Sequence, residues 1–240
     1  MTQVILTNTF IYPGEIAAKC LACPVRFAGI CAALSSDELN EVGLKTTRRK
    51  FTAGTPIFFE GDDVLIHGNI VTGVVHLSKG LSDGRQQIVA LQFSPTHLPV
   101  KTARVTAQAA TDSEICAIPN SLLNEIVGSN AKVEETIYKQ TLDEVDETRH
   151  RMRSIGRKTA FEKIANLILM FVLKGDPGAG NGYRFELPLT RSEIADFLGL
   201  TVETVSRKLT KLRATKIIRI DSGRSVTLNS LSRLHDVSGC

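Results

Sequence analysis

No apolar run in the chain approaches the roughly 20 residues needed to cross a bilayer; the most continuous one, residues 167–173, is far too short. The opening MTQVILTNTF has neither a cationic start nor a small-residue cleavage site, so no targeting segment is expected and the cytoplasm is the expected compartment. Neither a glycine-rich phosphate loop nor a Ser/His/Asp grouping is apparent, which weakens any enzyme reading. Neither sign of charge dominates: 29 Lys and Arg against 25 Asp and Glu leave a net charge of +4. That balance permits nucleic-acid binding without arguing for it.

The chain has 240 residues, 42% of them hydrophobic, enough to bury a real core and to form two domains rather than one. Charge is distributed unevenly. Carboxylates gather at Glu134, Glu135, Asp143, Glu144, Asp146 and Glu147, whereas residues 149–158 and 207–219 are basic.

Residues 189–212, LTRSEIADFLGLTVETVSRKLTKL, read as two short helices broken by one glycine, a helix-turn-helix candidate. Thr190 and Glu193 have capping-box spacing, and Ile194, Ala195 and Leu198 share one face. Gly199 falls where the first helix must end in a left-handed residue, and Thr201 is placed to cap the second. Val202, Val205, Leu209 and Leu212 recur at helical spacing and are expected to face inward, leaving Glu203, Ser206 and Arg207 abreast on the exposed side. These residues suit a major groove: Arg can donate twice to guanine, Glu can accept from cytosine N4, and Ser can serve a base or a phosphate. Arg191, Lys208, Lys211, Arg213 and Lys216 supply cations for phosphates, and residues 217–220 with 225–228 look like a wing hairpin. The competing reading is an ordinary amphipathic helix pair with a solvated charged face.

Cys20, Cys23 and Cys31 crowd into KCLACPVRFAGIC. In a cytoplasmic chain such a group points to metal or redox chemistry rather than to disulfides. No second Cys-x-x-Cys and no His pair at finger spacing follows, so a fourth ligand must come from elsewhere. Cys116 is the internal candidate, since Cys240 is the last residue. Four cysteines match the usual iron-sulfur count, with zinc or unused thiols as alternatives.

Between residues 48 and 119, short β-rich runs separated by glycine-containing turns argue for a sandwich or barrel. Asp83-Gly84 within KGLSDGR marks an exposed hairpin tip. His76 and His97 are lone histidines, read as solvated or core-satisfied rather than as ligands. Residues 129–156 contain no proline and are rich in helix formers, predicting one long helix. Tyr138, Leu142, Val145 and Met152 follow a/d spacing, with Arg149 interrupting the seam. Such a stripe fits either a dimer interface or packing on the helix's own domain. An apolar helix over 159–174 and a loop over 175–182 come next.

The Glu-x-x-Ser-Arg of Glu203, Ser206 and Arg207 resembles the recognition helix of the FNR branch of the CRP/FNR family of bacterial transcription regulators, and the similarity covers nearly the whole chain. The resemblance implies an α+β protein: a cysteine-containing segment over 1–46, a cyclic-nucleotide-binding-type β-roll over 47–128, a dimerisation helix over 129–156 and a winged helix-turn-helix over 157–240. It implies an oxygen-labile 4Fe-4S cluster on Cys20, Cys23, Cys31 and Cys116. It also implies a homodimer paired through Tyr138, Leu142, Val145 and Met152. Its DNA site would be an inverted repeat of TTGAT-like half-sites, with Arg207 on guanine, Glu203 and Ser206 on adjacent bases, and Thr190, Arg191, Thr201, Lys208 and Lys211 around them. The hairpin residues Ser82, Asp83 and Arg85 would touch RNA polymerase. Binding of a cyclic nucleotide is not expected, because family members that bind one have a Gly-Glu pair before an Arg-Ser/Thr-Ala run, whereas FSPTHLPVKTARVTAQA contains no Gly-Glu pair. This segment, residues 93–101 especially, is shorter than the family's usual loop.

The first reading is therefore an oxygen-responsive, DNA-binding activator. A metal- or small-ligand-responsive regulator using the β-roll is the second. A thiol redox enzyme is the weakest, because the Cys-x-x-Cys lies in no strand-helix context of the thioredoxin kind.

Overall fold

The computed structural model describes residues 16–64, 66–84, 86–98 and 103–239. The β-rich region forms two four-stranded antiparallel sheets from β1 (Thr47–Phe51), β2 (Pro56–Phe58), β3 (Ile66–Thr72), β4 (Val74–Gly80), β5 (Gln86–Phe93), β6 (His97–Leu98), β7 (Thr106–Ala109) and β8 (Ser113–Pro119). Their orders are β1-β8-β3-β6 and β2-β7-β4-β5. Ile70, Val75, Leu77, Leu98, Ala107 and Ile115 fill the space between them. Each large aliphatic side chain so buried contributes about 1.5–3 kcal/mol.

Under one end of this roll pack α1 (Ala18–Leu21), a 3-10 turn (Gly29–Ala33), α2 (Ser36–Lys45) and α3 (Asn120–Ser129). Ile30, Val42, Ile118, Leu122, Leu123, Ile126 and Val133 form their shared core. Ser35 and Glu38 close a capping box on α2, a contact worth about 1 kcal/mol.

The expected long helix over 129–156 is α4, which runs Ala131–Arg157, directly after α3 ends at Ser129. Asn130 makes the break. Its backbone is extended, its side-chain oxygen accepts from the Lys132 amide at 3.0 Å, and its amide donates to the Ala33 carbonyl at 3.2 Å and the Glu38 carboxylate at 2.8 Å. A capping asparagine bonded to the N-terminal segment thus restarts the helix in a new direction.

The C-terminal unit comprises α5 (Ala160–Gly175), β9 (Arg184–Glu186), α6 (Arg191–Leu198), α7 (Val202–Ala214), β10 (Ile218–Ser222), β11 (Ser225–Leu228) and α8 (Leu231–Val237). The expected wing hairpin is β10–β11, and β9 joins its edge to make a three-stranded sheet. This core is continuous with the roll. Ile88 and Ala110 belong to the same buried cluster as Ile164, Ile168 and Phe171, and Phe93 meets Phe171 with ring centroids 6.2 Å apart.

Candidate functional site

The two helices of the reader form as their end signals dictate. Thr190 and Glu193 make a complete capping box on α6, and Gly199 closes that helix in the left-handed region at φ 62°. A residue with a Cβ is disfavoured there. The Thr201 hydroxyl accepts from the Thr204 amide at 3.3 Å and starts α7. Val205, Leu209 and Leu212 are buried, as the spacing predicted. Val202 is not: it is 41% exposed in the first turn, and Leu200 at the corner packs against the core instead.

Glu203 and Arg207 are exposed and Ser206 is half-buried, all on the outer side of α7. Neighbouring side chains hold two of these three residues. Arg207 Nη2 donates to Thr204 Oγ1 at 3.1 Å, and Arg191 Nη1 reaches Ser206 Oγ at 3.4 Å from the start of α6. Glu203 is held below the ordinary carboxylate range by its own backbone amide, then by Thr201 and Arg207, so it stays an acceptor at neutral pH. Lys208 is half-buried beside them, whereas the Lys211 ammonium lies over the Phe161 ring, 4.6 Å from its centroid. That cation–π contact fixes a cation at the rim of the same exposed face.

The four cysteines come from α1, the turn after it, the 3-10 turn and β8, and all line one small cavity with Arg26, Leu39, Val42, Arg48, Asn69 and Ile118. Gly43 of α2 permits this approach, since a Cβ there would come within 2.5 Å of Ala17 and 3.1 Å of the Cys20 sulfur. Lys19 fastens the same segment by donating to the Thr46 carbonyl. Burial raises the Cys20, Cys31 and Cys116 thiols, Cys31 to about 12, and the neighbouring thiols add to the shift for each. Thiols so placed resist becoming thiolates together unless a metal lies among them, and metal ligation deprotonates them. Among the described residues no group of three or more His, Cys, Asp or Glu is already arranged to hold a metal ion. Four soft sulfurs lining a shared cavity are nonetheless the donor set that an iron-sulfur group or a zinc ion takes.

Residues 162–237 match the Crp-like helix-turn-helix domain. The chain is 40% identical over 218 residues to a probable transcriptional activator of Rhizobium leguminosarum bv. viciae, covering 90% of this chain and 91% of that protein. It is 34% identical over 233 residues to the transcriptional activator protein FnrL of Cereibacter sphaeroides, covering 93% of each. The chain belongs to the CRP/FNR family, in its FNR branch. Its fold overlays that of FixK2 from Bradyrhizobium japonicum with a TM-score of 0.73 at 30% identity, covering 81% of this chain and 98% of that one. As a CRP/FNR member it is a DNA-binding transcription regulator rather than an enzyme. Among the described residues no helix is long and apolar enough to cross a membrane.

The remaining predicted residues fall on α4 and the β4–β5 hairpin. Tyr138, Leu142, Val145 and Met152 are 63%, 46%, 40% and 71% exposed, so the chain's own domains leave this stripe uncovered. Arg149, within the stripe, pairs with Asp146 at 2.8 Å. Ser82 and Asp83 occupy the exposed tip between β4 and β5, as expected, and Arg85 lies outside the described residues.

Three features escaped the sequence reading. Arg48 and Asn69 face the cysteines from β1 and β3, and no local pattern marks either. His76, read as solvated or core-satisfied, is buried with neither ring nitrogen hydrogen-bonded. It meets α6, with Nε2 3.7 Å from the Glu193 carboxylate. Burial outweighs Glu193 and Asp196 and lowers its pKa, so the imidazole is neutral at pH 7 and the contact is not an ion pair.

Proposed function

We propose that this regulator is an oxygen-responsive activator in which Cys20, Cys23, Cys31 and Cys116 hold a 4Fe-4S cluster that controls pairing of α4 between two copies. The observation that carries the reading is the convergence of four cysteines, from separate elements, on one cavity, with the 3-10 turn that carries Cys31 packed against α4. When bound, the cluster supplies a centre that dioxygen can oxidise and dismantle.

The chain's own residues couple that centre to DNA. Cys31 lies on the 3-10 turn that packs against α4, and Gly29 of the same turn lies beside Gln140. Asn130 ties the head of α4 to Ala33 and Glu38. A change in the cysteine segment is therefore felt where the uncovered Tyr138, Leu142, Val145 and Met152 stripe begins. A second copy would cover that stripe and place two α7 helices on successive half-sites of a TTGAT-like inverted repeat. Loss of pairing then lowers DNA affinity by mass action, because a single half-site holds weakly.

A cyclic nucleotide has no place in this scheme. Among the described residues, a cavity of about 30 Å³ in the roll interior is lined chiefly by Phe51, Ile57, Phe58, Val64, Ile66, Leu98 and Ile115, too small and apolar for a nucleotide. The larger cleft between β5 and α4, about 470 Å³, presents Asp143, Glu144 and Glu147 against only Arg151 and Lys174, a poor match for a phosphate. Ser82 and Asp83 of the hairpin tip, with Arg85 two positions on in sequence, are the proposed RNA polymerase contact, and the cytoplasm the proposed compartment.

Anaerobic purification, with an absorption spectrum and iron and sulfide analysis, tests the proposal. The parent is expected to be coloured and to carry four irons per chain, and each Ser substitution at Cys20, Cys23, Cys31 or Cys116 to lose them, with Cys240→Ser unchanged. A colourless, iron-free parent would overturn the reading. Parental iron content in Cys116→Ser would remove the fourth ligand.

A further inference from the structure

Cys116 lies on β8, the strand flanked by β1 and β3, and the ladder places Arg48 directly across from it on one side and Asn69 on the other. Directly paired residues of antiparallel strands share a face. Arg48, Cys116 and Asn69 thus form one row across the sheet, and all three line the cysteine cavity. Asn69 is 2% exposed in a strand interior, where asparagine is disfavoured. A buried amide needs a partner, and Nδ2 of Asn69 points at the Cys31 sulfur, 3.7 Å away. Arg48 spends one donor on Glu114 Oε1 at 3.0 Å, and it lines the same cavity as Cys23 and Cys116. A guanidinium has five N–H donors in a rigid fork.

We propose that Arg48 and Asn69 are positioning residues for the cluster's electron density: a fixed cation and a buried amide that direct N–H groups at the Cys23 and Cys31 sulfurs and so favour its more electron-rich state. This rests on the cluster assignment above. Hydrogen bonds to the sulfurs and local charge set the reduction potential of an iron-sulfur centre. Both groups raise that potential. Both therefore slow the transfer of an electron from the cluster to dioxygen, the co-reactant in air. Glu114 works against them, because its carboxylate neutralises part of the Arg48 charge.

The test uses the full chain, purified without oxygen, with iron content, cluster midpoint potential and decay of visible absorption in air as readouts. Asn69→Leu keeps the volume without the donor, and Arg48→Gln removes the cation. Each is expected to load iron like the parent, with a more negative midpoint and a lifetime in air shortened several-fold. Arg48→Lys should recover part of both. Glu114→Gln should shift the midpoint the opposite way and lengthen the lifetime, a sign reversal that a merely structural role would not produce. Iron-loaded variants with the parental midpoint would overturn the proposal. If Asn69→Leu fails to load, Arg48→Gln and Glu114→Gln decide the matter. Loss of iron in both Asn69→Leu and Arg48→Gln would also overturn it, since the residues would then build the site rather than tune it. A parent without iron would instead refute the cluster assignment.

Discussion

Arg207 and Lys211 are both basic and both on α7, yet they should fail differently when changed. A bidentate Arg–guanine contact is worth about 1–3 kcal/mol per half-site. Lysine keeps the charge but not the planar fork, so Arg207→Lys should lose discrimination at the guanine and keep most of the salt-dependent affinity. Lys211, laid over Phe161 at the rim, is proposed to meet a phosphate. Lys211→Ala should weaken binding to all sequences alike and flatten the salt slope by about one unit per subunit. Anaerobic titrations on a TTGAT-type repeat and on its guanine-replaced version, at several salt concentrations, separate the two. Unchanged preference for guanine in Arg207→Lys would mean that this face of α7 does not read bases.

Among the elements, the reader was largely legible in the sequence and the cysteine centre only half so. Helix ends are written locally: Thr190, Glu193, Gly199 and Thr201 each act on backbone groups within four residues, so spacing sufficed to place α6 and α7. Strand pairing is not local. That Arg48 and Asn69 flank Cys116 follows from a register between residues 48, 116 and 69, which no window of sequence contains. The start of α4 was read two residues early, because the bonds that fix Asn130 to Ala33 and Glu38 are equally distant. β9 went unread because it is a three-residue edge strand following the loop GDPGAGNG. On α4, sequence identified the stripe, and the structure removed its own domains as the cover. Leu142→Glu should therefore leave iron content and the melting temperature close to parental while shifting the anaerobic protein toward monomer and weakening DNA binding at least tenfold. Sedimentation of the loaded protein is the check, and an unchanged dimer would place the interface elsewhere.

Across the whole molecule, the roll and the reader meet around His76, which is buried against α6 without a hydrogen bond to either ring nitrogen. Its folded pKa lies below the ordinary value of 6.5. The unfolded chain then binds more protons between those two values, so this group's contribution to stability is complete above about pH 6.5 and is lost as pH falls toward the folded pKa. His76→Gln should flatten this acid limb of the melting temperature between pH 7 and pH 5, measured by calorimetry on metal-free protein to keep cysteine titration out of the comparison. An equally steep limb in the variant would assign the pH dependence to other groups.

The cluster that runs from Ile88 and Ala110 of the roll into Ile164, Ile168 and Phe171 of the reader carries a consequence for autonomy. Two units that share a core lose apolar cover when either one leaves, so the energetic boundary does not coincide with the chain boundary near residue 158. A reader excised there would expose the α5 and α6 surfaces that now face β5, and a roll excised there would expose Phe93 and Leu91. Each fragment would be a weaker and stickier folding unit than the intact protein, and heat should unfold the two together in a single cooperative transition.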